Sequence, residues 1–568
     1  MIRSLKTSQI LLSKFPWRLF KNFSTTSTYR GENRKPYSYK IGEIIENFKL
    51  EEIKEFPDFG IKSYCLTHQK TGANFMHLDT SDQNNCFAII FKTLPSNDKG
   101  DNNFFFFRFP FSHFIFILGT PHILEHLMTC GSKKYPIRDP FMQMIKRSLN
   151  TYMNAWTGPD FTAYPFSSQN EKDFKNLMDL YTSLCFEPCL NYYDFLQEGW
   201  RYDITKNKET NKEELIYKGV VFNEMKGCYQ SSQGLFLRNI YKSLYPESKY
   251  SFDSGGIPEN IPDLSHEELK KFFQTYCHPS NMKFFSYGDL DFTENLRYLQ
   301  KNYLHKYEKN PVSIELTNAK RFESPKTLNL TGPKDPFSLE PGKDGKFGIA
   351  YLCNDIVKDS FTSFSLNILS YMLFDTPNSP MYKSLIESGL AASYCPGHGY
   401  EPSFKESPFV VGVQDISLDS KEIAKIEEVI TKTLKDVCEK GFNKNLVEGT
   451  LHQIEVNSKI ANSNFGISLL QKMLTLYNLG GDCKQILEVN ESIRKLREEI
   501  GKGKYFEGLI EKYLLNNNHK LRLIMSADEN YTKKEVEDEK KRLSDIFKNL
   551  TEEKKKLIIQ EVFLSILV

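Results

Sequence analysis

Short runs of apolar and β-branched residues, bounded by Asp and Asn, predict strands at 73–78 and 86–93. A helical stretch around Thr120 follows, and a second at 138–147 begins at Asp139-Pro140. Strands at 153–157 and 161–166 are joined by the turn Gly158-Pro159-Asp160. Helices are expected at 172–185 and 192–200 and around Glu224. Ser265 caps another, with Glu268 three residues on completing a capping box, and a strand at 283–287 closes this first α/β domain, read as 40–291. After a linker read as 292–345, the rhythm restarts at 346–530: a strand at 347–353, helices at 360–374 and 380–390, and a last strand at 520–526. The repeat's helix reads Leu366-Asn367-Ile368-Leu369-Ser370, without His or Glu, so it is expected to be a structural copy and not a second site. Residues 532–560 form a charged helical run, expected to begin a hairpin over 531–568, and apolar residues 562–568 stand where the hairpin's second helix should be.

Length and composition narrow the class. A chain of 568 residues implies several domains, since single cores stop growing near 250–300 residues. With 40% apolar and 26% charged residues it reads as globular, and a net charge of +2 points to no nucleic acid or other polyanion partner. Eleven cysteines without a C-x-x-C pair read as reduced thiols, which disfavours a cysteine zinc site. The start is different. Residues 1–31 hold Arg3, Lys6, Lys14, Arg18, Lys21 and Arg30 with no acid, among Ser, Thr and bulky apolar residues, which is the pattern of a mitochondrial transit peptide, read as 1–34. Removing these six positive charges from a net charge of +2 leaves about −4, which would suit basic peptides.

The most informative chemistry lies in Thr120-Pro-His-Ile-Leu-Glu-His126. His122, Glu125 and His126 spell H-x-x-E-H, the inverted zinc-peptidase order. Two histidines four apart lie about 40° from each other on a helix, so both rings reach one ion, and Glu125 sits on the same face. Glu224, 98 residues after His126, offers a third ligand. Two His, one Glu and an open position make a catalytic zinc site, with Glu125 as general base and one Zn2+ per chain. On spacing alone Glu198, in Gln197-Glu198-Gly199-Trp200, is equally a helix-surface acid or a carboxylate holding a histidine ring. His68, His77 and His113 read as ordinary core or surface residues, and Trp156 and Trp200 as core.

Around that motif stand Cys130-Gly-Ser132, Asp139-Pro-Phe141, Met153-Asn-Ala155, Tyr164-Pro-Phe-Ser-Ser168, Gln197-Glu-Gly-Trp-Arg201, the stretch 219–227 and Ser254-Gly-Gly256. In these residues the chain resembles the presequence protease branch of the pitrilysin-type zinc metallopeptidases, the branch that includes falcilysin. The resemblance runs from about Tyr39 to about Leu550. It implies an α+β fold: two homologous pitrilysin-type α/β sandwich domains, helices packed on mainly antiparallel sheets, then a helical hairpin. It implies a mitochondrial matrix endopeptidase that degrades short unfolded peptides such as cleaved presequences, with no membrane span. It also assigns Glu198 beside the ligands, and an edge strand near Asn154 and Ala155 that pairs with the substrate backbone. The family's second half, which closes a chamber and adds an Arg and a Tyr near the metal, has no counterpart in this sequence.

Two features disturb the pattern. Residues 101–118 insert Phe104-Phe-Phe-Phe107 and Phe114-Ile-Phe-Ile-Leu118 just before the motif. Arg108, Pro110 and His113 break the run, which excludes a membrane span, and the segment is read as a retained intron. The absent half leaves an alternative of a different class: an inactive or peptide-binding half-protease that needs a separate C-terminal half-protease chain. A third reading, an electron-transport-complex core subunit of the same fold, is weaker because the ligand set here is complete.

Overall fold

The computed structural model describes residues 37–95, 119–208, 210–310, 314, 316–338, 340 and 342–567. The transit peptide expected at 1–34 and the insertion at 101–118, with His113, lie outside them. Everything below concerns the compact unit Lys40–Val568.

The first sheet is built from β1 (Ile44–Ile45), β2 (Phe48–Phe56), β3 (Ile61–His68), β4 (Asn74–Asp79) and β5 (Asn85–Lys92). Helices α1 (Thr120–Thr129) and α2 (Pro140–Arg147) follow, then β6 (Asn150–Met153), β7 (Trp156–Thr157) and β8 (Phe161–Ser168). Next come α3 (Glu171–Phe186), α4 (Tyr192–Glu198), the hairpin β9 (Arg201–Lys206) and β10 (Glu213–Lys218), α5 (Val220–Tyr229), α6 (Ser232–Leu244), α7 (His266–Tyr276), β11 (Met282–Gly288) and α8 (Phe292–Asn302). The sheet order is β1-β2-β3-β4-β11-β5-β8-β6, with β7 also on β8. β11 runs parallel to β4 and every other pairing is antiparallel. Strand β5 reads as a continuous apolar run because it is central and buried on both faces. The Ser265 capping box forms as the sequence suggests.

The second sheet repeats this plan. It holds β12 (Lys326–Pro333), β13 (Gly345–Asp355), β14 (Ser393–Tyr394), β15 (Gly399–Tyr400), β16 (Glu406–Ile416) and β17 (Lys520–Asp528), in the order β12-β17-β13-β16-β14 with β15 also on β16. Again one pair, β12 with β17, is parallel and the rest are antiparallel. Its helices are α9 (Ser360–Phe374), α10 (Ser420–Lys440), α11 (Lys444–Lys459), α12 (Phe465–Leu479), α13 (Val489–Gly501) and α14 (Tyr505–Ile510). Each central strand, β5 or β13, leads to a helix, then to two short edge strands and a long partner strand. The two units exchange a helix. Phe465, Ile467, Leu470 and Met473 of α12 pack on one face of the first sheet, and Leu235, Phe236, Ile240 and Leu244 of α6 pack on the second.

Three expectations change. The stretch 292–345 is not a plain linker, because it supplies α8 and the paired edge strand β12, whose short alternating pattern is hard to separate from a loop. The 380–390 helix is a six-residue π-helical segment, Tyr382–Glu387. The run at 532–560 is not one helix: it breaks after Asn549, giving α15 (Tyr531–Lys548) and α16 (Glu552–Leu567), so the apolar residues before Val568 belong to the second helix. Among the described residues no helix is long and apolar enough to cross a membrane.

Candidate metal centre

Helix α1 is two-sided. Ile123, Leu124, Leu127 and Met128 are buried against the sheet, while His122, Glu125 and His126 are only partly covered. The helix begins at Gly119, whose φ of 67° lies in the left-handed region, and a Cβ there would stand 2.4 Å from the carbonyl oxygen of Gly255. Helix α5 carries Glu224, and Glu198 ends α4.

The fold brings His122, His126 and Glu224 together, with one ligand atom of each lying within 4.8 Å of the others. His122 Nε2 is 3.8 Å and His126 Nε2 3.9 Å from Glu224 Oε2. A tetrahedral zinc ion bound at about 2.0–2.1 Å sets its ligand atoms roughly 3.3 Å apart. Small side-chain rotations therefore close this set on such an ion. Neutral imidazoles and a carboxylate are zinc donors, and the Glu224 side chain is half exposed, which leaves a side open. His126 Nδ1 lies 3.1 Å from Glu198 Oε2, an arrangement that fixes the ring with Nε2 toward the centre. His122 Nδ1 is buried without a hydrogen-bond partner among the described residues.

Burial lowers the pKa of His122, and neighbouring His126 adds to this, against the pull of Glu224 and Asp253 and the Gly255 backbone. For His126 burial acts the same way, but the Glu198 hydrogen bond and the charges of Glu125, Glu198 and Glu224 outweigh it and raise the pKa. Burial raises that of Glu125, opposed by the Thr157 hydroxyl, which donates to Glu125 Oε2 at 2.5 Å. A carboxylate shifted upward beside a metal-ligand cluster has the character of a general base. Thr157 escapes sequence reasoning because nothing local marks a β7 hydroxyl as the partner of an α1 carboxylate.

Asn154 and Ala155 sit between β6 and β7, on the free edge of the sheet. The Asn154 N–H donates to the Pro165 carbonyl at 3.2 Å, and the Ala155 N–H to the Asn154 side chain at 2.9 Å. His68 and His77 are buried and bonded to Thr71, Gln300 and Ser286, away from the centre. Trp156 and Trp200 are half-buried, bonded to Tyr152 and the Leu264 carbonyl. A cavity of about 1320 Å³ lies between α9, α11, α12 and α13 and is lined by none of the site residues.

Residues 117–226 match the family described as Insulinase (Peptidase family M16), and residues 263–454 the Peptidase M16 inactive domain. The chain is 35% identical over 542 residues to the mitochondrial presequence protease of Xenopus tropicalis, covering 95% of this chain and 50% of that protein. It is 38% identical over 504 residues to that of Drosophila melanogaster, covering 88% and 46%. The chain thus spans about half the length of the curated relatives it matches. A protease from Helicobacter pylori shares the fold, with a TM-score of 0.59 and 16% identity over 82% of this chain and 100% of that one.

Proposed function

The chain belongs to the M16 peptidase family, and from that premise we propose that it is a zinc endopeptidase of the mitochondrial matrix, acting on short unfolded peptides such as cleaved presequences. The observation that carries the proposal is the convergence of His122, His126 and Glu224 from two helices, with Glu125 on the same helix face. A zinc ion held by those three would supply a water of lowered pKa and a Lewis acid for the scissile carbonyl.

The protein's own groups do the rest. Glu125 takes the proton of the attacking water and returns it to the departing amine, and its raised pKa suits both transfers. Thr157 holds that carboxylate, and Glu198 holds the His126 ring. The exposed edge formed by β6, Asn154, Ala155 and β7 lies beside Thr157 and is placed to pair with an extended peptide backbone, which favours unfolded substrates.

A second reading is a peptide-binding half that acts only with a separate C-terminal half-protease chain. The apolar face on α16 favours it, because Ile559, Phe563 and Ile566 lie one turn apart and are more than half exposed. One experiment separates the two: cleavage of a fluorogenic presequence-like peptide by the purified chain, with bound zinc quantified and Glu125→Gln as control. Metal-dependent cleavage that the substitution abolishes supports the endopeptidase. Stoichiometric zinc without cleavage supports the half-protease, and no bound zinc overturns both.

A further inference from the structure

Asp253 lies outside every motif that marks the centre, yet it joins the two helices that carry the ligands. Its Oδ2 accepts from Arg238 Nε at 2.7 Å and from the Tyr229 hydroxyl at 3.1 Å. Arg238 also donates from Nη1 to the Cys228 carbonyl at 3.0 Å and stands 4.4 Å above the Tyr229 ring. Cys228 and Tyr229 form the last turn of α5, the helix of Glu224. One face of Asp253 is therefore committed to that helix.

Its other face sets the loop 253–256. Oδ1 accepts from the Gly255 N–H at 2.9 Å, and the Asp253 carbonyl accepts from the Gly256 N–H at 3.0 Å. That loop lies directly on the start of α1. A Cβ on Gly256 would come within 2.7 Å of the Gly119 Cα, and one on Gly255 within 2.5 Å of the Met225 side chain, next to Glu224. At Gly256 the neighbour is the Gly119 backbone, so no Cβ fits there and the loop fixes the start of α1, whereas at Gly255 it is the end of the Met225 side chain.

We propose that Asp253, fixed by Arg238 and Tyr229, is a positioning residue that sets the separation of Glu224 from His122. The proposal rests on the reading of His122, His126 and Glu224 as a zinc site. It differs from the role of Glu198, which holds one ring. Asp253 holds two helices in register and touches no ligand atom.

The test is a zinc titration of the whole chain against a competing chelator, with the thermal midpoint of the metal-free protein measured alongside. Asp253→Asn keeps the shape but weakens the charge-assisted bonds, and Arg238→Lys keeps the charge but loses the fork. Each is expected to weaken zinc binding about 10–100-fold, the usual range for groups that orient ligands. In a Glu224→Ala background, where no third ligand remains to be positioned, Asp253→Asn should change zinc affinity less than twofold. An unchanged zinc affinity in Asp253→Asn, whether or not the midpoint falls, overturns the proposal. So does an equal loss in the Glu224→Ala background, because the effect would then not pass through Glu224. If the unaltered chain binds no zinc, the metal-site reading falls with it.

Discussion

Helices α1 and α9 occupy the same place in two copies of one plan and differ in chemistry. Each follows a buried central strand, β5 or β13, and precedes a pair of two- to four-residue edge strands. Their buried positions superpose when Thr120, Pro121, Ile123, Leu124, Leu127 and Met128 are set against Ser365, Leu366, Ile368, Leu369, Met372 and Leu373. That register sets His122 against Asn367, Glu125 against Ser370 and His126 against Tyr371, and none of these six is buried. The Ser370 hydroxyl accepts from the Tyr400 N–H of β15 at 3.2 Å. On the same open face α1 carries two imidazoles and a carboxylate, and α9 carries an amide, a hydroxyl and a phenol. The comparison teaches that the fold does not need titratable groups of that kind there, and that the cluster in α1 has a purpose other than stability.

The sharpest way to break the comparison is to remove the chemistry of α1 and leave its shape. Glu125→Gln should lower peptidase activity about 10²–10⁴-fold, the range for losing a positioned general base, with zinc content and thermal midpoint retained. An activity loss that tracks a loss of zinc or of folding would show that Glu125 is structural. The companion experiment is Leu369→Ala, on the buried face of α9. It should destabilise the chain by about 2–5 kcal/mol in denaturant unfolding and leave zinc affinity unchanged. A change in zinc affinity there would mean that the second copy contributes to the site after all.

Legibility in the sequence follows the same division. The ligands of α1 could be read because H-x-x-E-H is a local helical pattern with a direct physical meaning, and Glu224 followed from the demand for a third ligand. The repeat could be read at α9, where a strand and an apolar helix recur in order. The exchange of α6 and α12 between sheets could not, since an apolar helix face does not say which sheet it covers. Strand β12 pairs in parallel with β17, 195 residues on from Lys326 to Leu521, and no local signal carries such a pairing. Thr157 and Asp253 were hidden for the same reason: their bonds are long-range and their residue types ordinary. The break between α15 and α16 was blurred because Lys and Glu continue across Asn549-Leu550-Thr551 without a Gly or Pro to mark a stop.

A smaller effect sharpens the comparison at one ligand. Tyr371, the counterpart of His126, is 41% exposed, whereas His126 is held by Glu198 at 3.1 Å. Glu198→Gln keeps a hydrogen-bond acceptor but removes the charge. It should weaken zinc binding about 10–100-fold by chelator competition and should not abolish it. An unaltered zinc affinity would return Glu198 to the status of a surface acid.

The smallest effect concerns Thr157 and is best seen in pH. Its hydroxyl donates to Glu125 and so favours the carboxylate over the acid, opposing the burial that raises the Glu125 pKa. Thr157→Val removes the donor at nearly constant volume, so the pKa of Glu125 must rise further. A general base works only when deprotonated, and a higher pKa means that activity is lost at a higher pH as the solution is acidified. The acid limb of the kcat/KM profile should therefore move upward in the variant, while the alkaline limb and the activity at its plateau change little. A bound zinc ion lowers the Glu125 pKa in both proteins and leaves the direction of the difference intact. A downward shift, or an unmoved acid limb, would show that the limb reports another group and that Glu125 is not the base whose protonation ends activity.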